Sequence, residues 1–465
     1  MVFSSPVFLF IFFPLFFGVY FALPRTLRNG FILIASVGFY VLGAGALTLV
    51  GVLLLIVNWL LGGLLGHLKQ RRTPALIAAI AVNLTPLIFF KYLVFFTHVL
   101  NDLTGVQLSA NVEKWGLALP LGISFYTFHF ISYLLDVHAG RIRPESSLQK
   151  FAIYVFLFPH LIAGPVVRFA EVKAQLDLAR RKVIKSDVFW GMAIFIIGLG
   201  KKILIADPLG AVVDAVHRPD AALTTYAAWL SALCYAFQIY FDFSGYTDMA
   251  IGMARMMGFR FPRNFNRPYA ATSITEFWQR WHMTLSRWFR DYVYIPLGGN
   301  RVASWKIHRN LFVVFFLCAL WHGAAYTFVV WGLGHGLLLS LERGGVLKLD
   351  RWRLGSLPVF VLATLLWIPF RAVDLTQTGR FFRVMLDPRS VLWVDANRGL
   401  ADLKVIFLLV VAAAICLGGD KAFYKLRNLT FRHPLVVGAY CFALYLLSCI
   451  SVVERGFNPF IYFQF

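Results

Sequence analysis

Two histidines stand where a hydrocarbon-loving chain has little reason to place them. The stretch from Phe315 to Gly336, "FFLCALWHGAAYTFVVWGLGHG", sets His322 and His335 thirteen residues apart in segments that otherwise read as membrane-crossing helix. An ionisable ring at that depth is costly and seldom idle. Imidazole titrates near neutrality, so His322 suits a general base, and spacing alone leaves equally open a buried ring bonded to a neighbouring helix. Cys318 shares the face of His322 one turn earlier, which raises a thiol–imidazole dyad, but apolar surroundings disfavour the charged thiolate. His335, on the returning segment, reads as a hydrogen-bonding group between helices.

A third imidazole, His282, lies in the polar stretch "ITEFWQRWHMTLSRWFRDYVYIPLGGNR". At about 100° per residue, Ile274, Trp278, Trp281, His282, Leu285, Phe289 and Tyr292 would share one helical face, with Glu276, Arg280, Met283, Arg287 and Arg290 opposite. Thr272 or Ser273 can cap the start, and Pro296 with Gly298-Gly299 ends it. An interfacial anchor explains every position except His282, which projects with the apolar face.

Asp242 and Asp248, in "YFDFSGYTDMAIGMA", are acids in or near a span. They can relay protons in a transporter or pair with cytoplasmic arginines, and Ser244-Gly245 suggests a close-packed helix with a local break there. His129, His138 and His160 lie in or beside apolar segments without metal-ligand spacing, and neither HxxxH nor HExxH occurs, so no metal site is expected.

The elements that position these residues follow from composition. Of 465 residues 59% are hydrophobic and only 14% charged, against roughly 45–50% and about 25% in soluble domains. Apolar runs of helix-spanning length recur along the chain, which makes it an all-α polytopic membrane protein. Crossings are expected near 2–22, 30–43, 47–66, 75–97, 117–137, 187–205, 225–254, 309–322, 325–341, 356–371, 404–418 and 436–453. That is about 11–12 transmembrane helices in one integral domain covering 1–465, with 151–165 a re-entrant or interfacial piece. The first apolar run has no basic residue before it, unlike a secretory signal, and reads as a retained span.

The net charge of +22 does not indicate nucleic acid, because its placement follows membrane topology. With the N-terminus outside, 32 of the 44 Lys and Arg residues fall in inner loops and 7 in outer ones. This bias puts both termini on the periplasmic side and residues 255–309 in the cytoplasm. From Arg309 at the inner edge, thirteen helical residues carry His322 roughly 20 Å into the bilayer. The five cysteines show no CxxC pairing and signal neither cluster nor disulfide framework.

Several long motifs together resemble the membrane-bound O-acyltransferases (MBOAT), and within them the bacterial polysaccharide-acetylating branch. They are "ITEFWQRWHMTLSRWFRDYVYIPLGGNR", "LWHGAAYTFVVWG", "LPLGISFYTFHFISYLLDVHAGRI", "FPHLIAGPVVRF", "YAFQIYFDFSGYTDMAIGMARMMGF" and the terminal "FNPFIYFQF". The resemblance implies a ring of tilted helices around a waist, with the family's catalytic histidine at His322 and its second signature residue at His282. It implies a thioester donor in the cytoplasm, acetyl-CoA or an acylated carrier protein, with no bound cofactor. It also implies delivery of the acetyl group across the bacterial inner membrane to periplasmic SGNH-type acetyltransferases that modify an exported polymer such as alginate. A relative acylating peptidoglycan or transferring D-alanine would share this architecture, and a transporter of ions or acyl groups would form no ester.

On that basis His322 and His282 are the expected catalytic pair, His322 as base on an acceptor hydroxyl. Trp278, Trp321 or a charged His282 would donate to the oxyanion. Trp281 completes the expected binding surface, and Arg280, Arg287 and Arg290 would attract a phosphate-bearing or acidic donor.

Overall fold

A computed structural model describes every residue except 1, 69, 71, 352–353, 388–399, 422, 426–432, 456–457 and 462–465. Much of the terminal motif "FNPFIYFQF" therefore lies outside the described residues. The described chain is helical, and no strand occurs within it. Its apolar character is expressed as helices that expose Leu, Ile, Val and Phe outward, as a lipid-facing surface requires. Among the described residues four stretches are long and apolar enough to cross a membrane, Arg25–His67, Arg72–Thr104, Lys185–Val216 and Pro434–Glu454, with Phe8–Ala22, Leu357–Arg371 and Leu403–Leu417 as shorter apolar helices.

The chain divides into two compact units. The first comprises Val7–Met192 with Ala250–Pro262. Its centre is aromatic: Phe158 meets Phe12, Phe16 and Phe39 with ring centroids 4.9–5.5 Å apart. Polar glue adds to the packing, because Asn58 and Asn83 exchange two buried amide hydrogen bonds of 2.8 Å between neighbouring helices. Residues 151–165, expected to be too short to cross, form the end of Leu148–Phe156, the single turn Phe158–Leu161 and a buried connection.

The second unit comprises Val2–Pro6, Ala193–Met249 and Arg263–Phe465. Its frame is the hairpin of Ser304–His322 and Tyr326–Arg343, the helix Leu357–Arg371 and most of the long helix Thr225–Met256. That long helix runs without the break expected at Ser244-Gly245. Gly245 does serve close packing, since a methyl there would come within 2.6 Å of the Gly198 carbonyl.

Candidate functional site

The polar stretch after residue 255 is not one surface helix. Ile274–Arg280 and Met283–Phe289 are separate helices of seven residues each, broken at Trp281–His282. Ser273 caps the first through Glu276 N–H, as its side-chain oxygen allows. His282 then adopts a left-handed conformation, φ +41° and ψ +52°, uncommon for a residue with a Cβ. The break turns the stretch inward: Phe277, Trp278, Trp281, His282, Thr284, Leu285, Trp288 and Phe289 are all buried.

Asn264 holds His282 in place. Its Oδ1 accepts from Thr284 N–H at 3.2 Å and from the Thr284 hydroxyl at 2.8 Å. The Nδ1 of His282 lies 3.1 Å from the same oxygen. A main-chain N–H can only donate, so this atom is the amide oxygen and His282 must carry its proton on Nδ1. Nε2 is left as the lone-pair nitrogen, buried and without a hydrogen-bond partner among the described residues. Burial pushes the imidazole down to about 3. The ring is therefore neutral, and the charged His282 expected as an oxyanion donor is replaced by an acceptor.

Trp321 touches both expected catalytic rings. Its centroid is 5.9 Å from His282 and 4.8 Å from His322. His322 is the last residue of its helix, 4% exposed, and meets the edges of Trp331 and Phe370 at 5.0 and 5.2 Å. Gly323 follows because the chain must turn against Phe328, whose ring a methyl at this position would overlap. Cys318 is buried one turn earlier on the same helix.

Trp278 and Trp281 are arranged as support for these rings. The Trp278 indole N–H donates to His335 Nδ1 at 3.3 Å, so the donor foreseen for an oxyanion is engaged within the aromatic wall. His335 thereby acts as the hydrogen-bonding group its sequence context suggested. Trp281 stacks on Phe277 and leans on Trp367, with centroids 5.7 and 4.9 Å away.

The arginines divide in role. Arg280 is tied to Glu276 at 2.6 Å and to Asp420 at 2.9 Å. Asp420 also pairs with Arg267 at 2.5 Å, and Arg267 further donates to the Gly418 carbonyl and lies over Phe423. Arg280 is thus a strut binding Ile274–Arg280 to the end of Leu403–Leu417. Arg290 is exposed and pairs with the adjacent Asp291, while Arg287 is half-buried.

The acids of the long helix pair with lysines and not with the arginines expected. Asp242 contacts Lys202 at 2.5 Å and accepts from Ile461 N–H at 2.8 Å. Lys202 also meets Asp207 at 2.7 Å, and Asp248 pairs with Lys201 at 2.6 Å. Both carboxylates are therefore engaged, as a structural role requires. In the first unit the rings of His129 and His160 lie 5.0 Å apart, tilted by 35° and both buried, a proximity that their spacing in the chain does not reveal. Among the described residues no group of three or more His, Cys, Asp or Glu is placed to hold a metal.

Comparison with known proteins agrees with this architecture. The sequence model of the membrane-bound O-acyltransferase family matches residues 141–346. The chain is 38% identical to "Probable alginate O-acetylase AlgI" of Pseudomonas putida, with both chains covered in full. It is 41% identical to the protein of that name in Pseudomonas aeruginosa, over 91% of this chain and 82% of the relative. To "Peptidoglycan O-acetyltransferase" of Helicobacter pylori it is 35% identical, over 84% of this chain and 81% of the relative. Buried histidines on apolar helices, joined to likeness over the whole length, place this chain in the membrane-bound O-acyltransferase family as a multi-pass membrane O-acyltransferase.

Proposed function

We propose that the chain transfers an acetyl group from a cytoplasmic thioester, through the inner membrane, toward an exported polysaccharide of the alginate kind. The observation that carries the reading is the cluster His322–Trp321–His282, in which Asn264 leaves one imidazole nitrogen bare of a proton inside an aromatic enclosure. Two such rings, one at a helix end and one on a strained turn, suit proton handling better than packing.

His322 accepts the proton of the acceptor hydroxyl as its oxygen attacks the thioester carbonyl. The tetrahedral intermediate collapses, the C–S bond breaks, and His322 returns the proton to the departing sulfur. An ester and a free thiol result, and the imidazole is restored. His282 accepts a hydrogen bond through Nε2 and orients the reacting groups. Arg287 and Arg290 supply positive charge toward the donor's phosphates. Residues 255–309 face the cytoplasm and both termini the periplasm, in keeping with the 32 to 7 division of Lys and Arg. Periplasmic acetyltransferases then carry the group to the polymer. Whole-length likeness to the alginate proteins favours alginate, and the shorter match to the peptidoglycan protein makes that polymer the second choice.

Acetyl release from a labelled thioester, followed in proteoliposomes, tests the reading. His322→Ala at normal protein levels should lose about 10²–10⁴-fold of the new ester. Undiminished ester formation would refute the assignment, and ester-free passage of label in the wild type would indicate a transporter.

A further inference from the structure

In the first unit a cavity of about 310 Å³ is lined by Tyr20, Arg25, Arg28, Arg181 and Lys182, among others. It lies at the bend between the apolar helix Phe8–Ala22 and the stretch Arg25–His67, a helix end where hydrocarbon gives way to headgroups. The cations are fixed in position. Arg25 donates to the carbonyls of Leu178, Ala179 and Arg181, closing the loop onto the helix start. Arg181, only 5% exposed, donates to Asn29 Oδ1 at 2.7 Å and lies over the Phe259 ring. Arg28 lies over Tyr20, whose hydroxyl donates to the Met257 carbonyl. Gly258, at φ +85°, lets the loop come this close, since a Cβ there would meet the Lys182 carbonyl at 2.8 Å.

What the cluster has not got is an anion. Among the described residues neither Arg25, Arg28, Arg181 nor Lys182 forms an ion pair with a carboxylate, and every acceptor they reach is neutral. Burial, opposed by Tyr20 and reinforced by the charges of Arg28 and Arg25, holds the Arg181 guanidinium below its usual value. Gathering like charges in a half-enclosed cavity is unfavourable unless a counter-charge enters. Ordinary topology-setting arginines would instead extend into water. The rim adds a second property, because the lining includes Leu178, Val183 and Ile184, the last 52% accessible, and Phe21 and Leu27, next in the chain to the lining residues Tyr20 and Arg28, are exposed apolar side chains. A cationic cavity with an apolar rim at a helix end matches a phosphate ester carrying acyl chains better than a soluble phosphate.

We propose that this cavity binds the phosphate headgroup of an anionic phospholipid, with the guanidiniums and Lys182 as its charge partners and the rim as the seat of its chains. Native mass spectrometry of the full chain in detergent, with equal phosphatidylglycerol and phosphatidylcholine, tests it. The wild type should retain phosphatidylglycerol preferentially. Lys182→Gln and Arg28→Gln should each weaken that preference about fivefold, and Arg28→Lys should preserve it. Equal retention of the two lipids by the wild type, or a preference indifferent to both charge removals, would overturn the proposal. Inorganic phosphate displacing the lipid from the wild type at equal concentration would overturn the lipid assignment in favour of a soluble phosphate. Lys182 is exposed, so its substitution leaves the fold intact, and acyl transfer by the histidines stands or falls separately.

Discussion

The Nδ1 of His282 sits 3.1 Å from Oδ1 of Asn264, eighteen residues earlier in the chain, and this one contact determines which nitrogen of the ring can accept a proton. The Thr284 main chain shares the same oxygen, so the amide cannot flip without facing two donors with a third. Tautomer, ring plane and turn are thereby set together.

Asn264→Leu should lower acetyl transfer by about 10- to 100-fold, the order seen where a partner that fixes a histidine's ring is removed. Asn264→Asp keeps the acceptor and should retain more activity, with its pH profile displaced because a carboxylate favours the imidazolium. Steady-state rates of the two variants across pH distinguish a positioning role from simple loss of packing, which would lower both alike without moving the profile.

Gly323→Ala should destabilise the hairpin by about 1–3 kcal/mol, because the new methyl overlaps the Phe328 ring. The double variant with Phe328→Ala should recover part of the thermal stability. Melting temperatures in detergent check both, and an unaltered single variant would show that the turn after His322 is slack.

Lys202→Met should cost about 3–5 kcal/mol, since it leaves Asp207 and Asp242 facing each other without their shared cation. Neutralising the acids as well, Asp207→Asn with Asp242→Asn, should restore much of the lost accumulation in membranes. A transporter would instead lose flux in every one of these variants regardless of protein level.

Stability should fall as pH drops below neutrality. In the unfolded chain His282 takes up a proton near 6.5, whereas burial in the fold delays this to about 3. The unfolded state thus binds more protons through that interval and gains from acid, so the contribution is present above about 6.5 and lost progressively toward 3. His282→Asn should flatten the pH dependence of the melting temperature between 7 and 4 relative to the wild type.

The parts of the molecule set by local periodicity were legible beforehand. The crossing expected at 225–254 is the helix Thr225–Met256, and that expected at 404–418 is Leu403–Leu417. The crossing expected at 309–322 ends where the helix Ser304–His322 ends, at His322. Contacts across long separations were not legible. A helical period drawn through Trp281 and His282 cannot reveal a left-handed residue, because side-chain type alone gave no Gly or Pro to mark the break. Asn264 sits in "RNFNRP", which reads as ordinary loop, and only the returning chain makes it the partner of His282. Lys201 and Lys202 lie inside the crossing expected at 187–205, and only the fold brings them to Asp248 and Asp242.

The backbone twist at His282 makes alanine a poor probe of this position. A methyl side chain at φ +41° keeps the conformational penalty of roughly 1–2 kcal/mol while deleting the ring, so any loss would blend two causes. Glycine frees the main chain and asparagine tolerates it, so the loss of turnover that those two replacements share, measured against the wild type, would isolate what the imidazole itself contributes to the reaction.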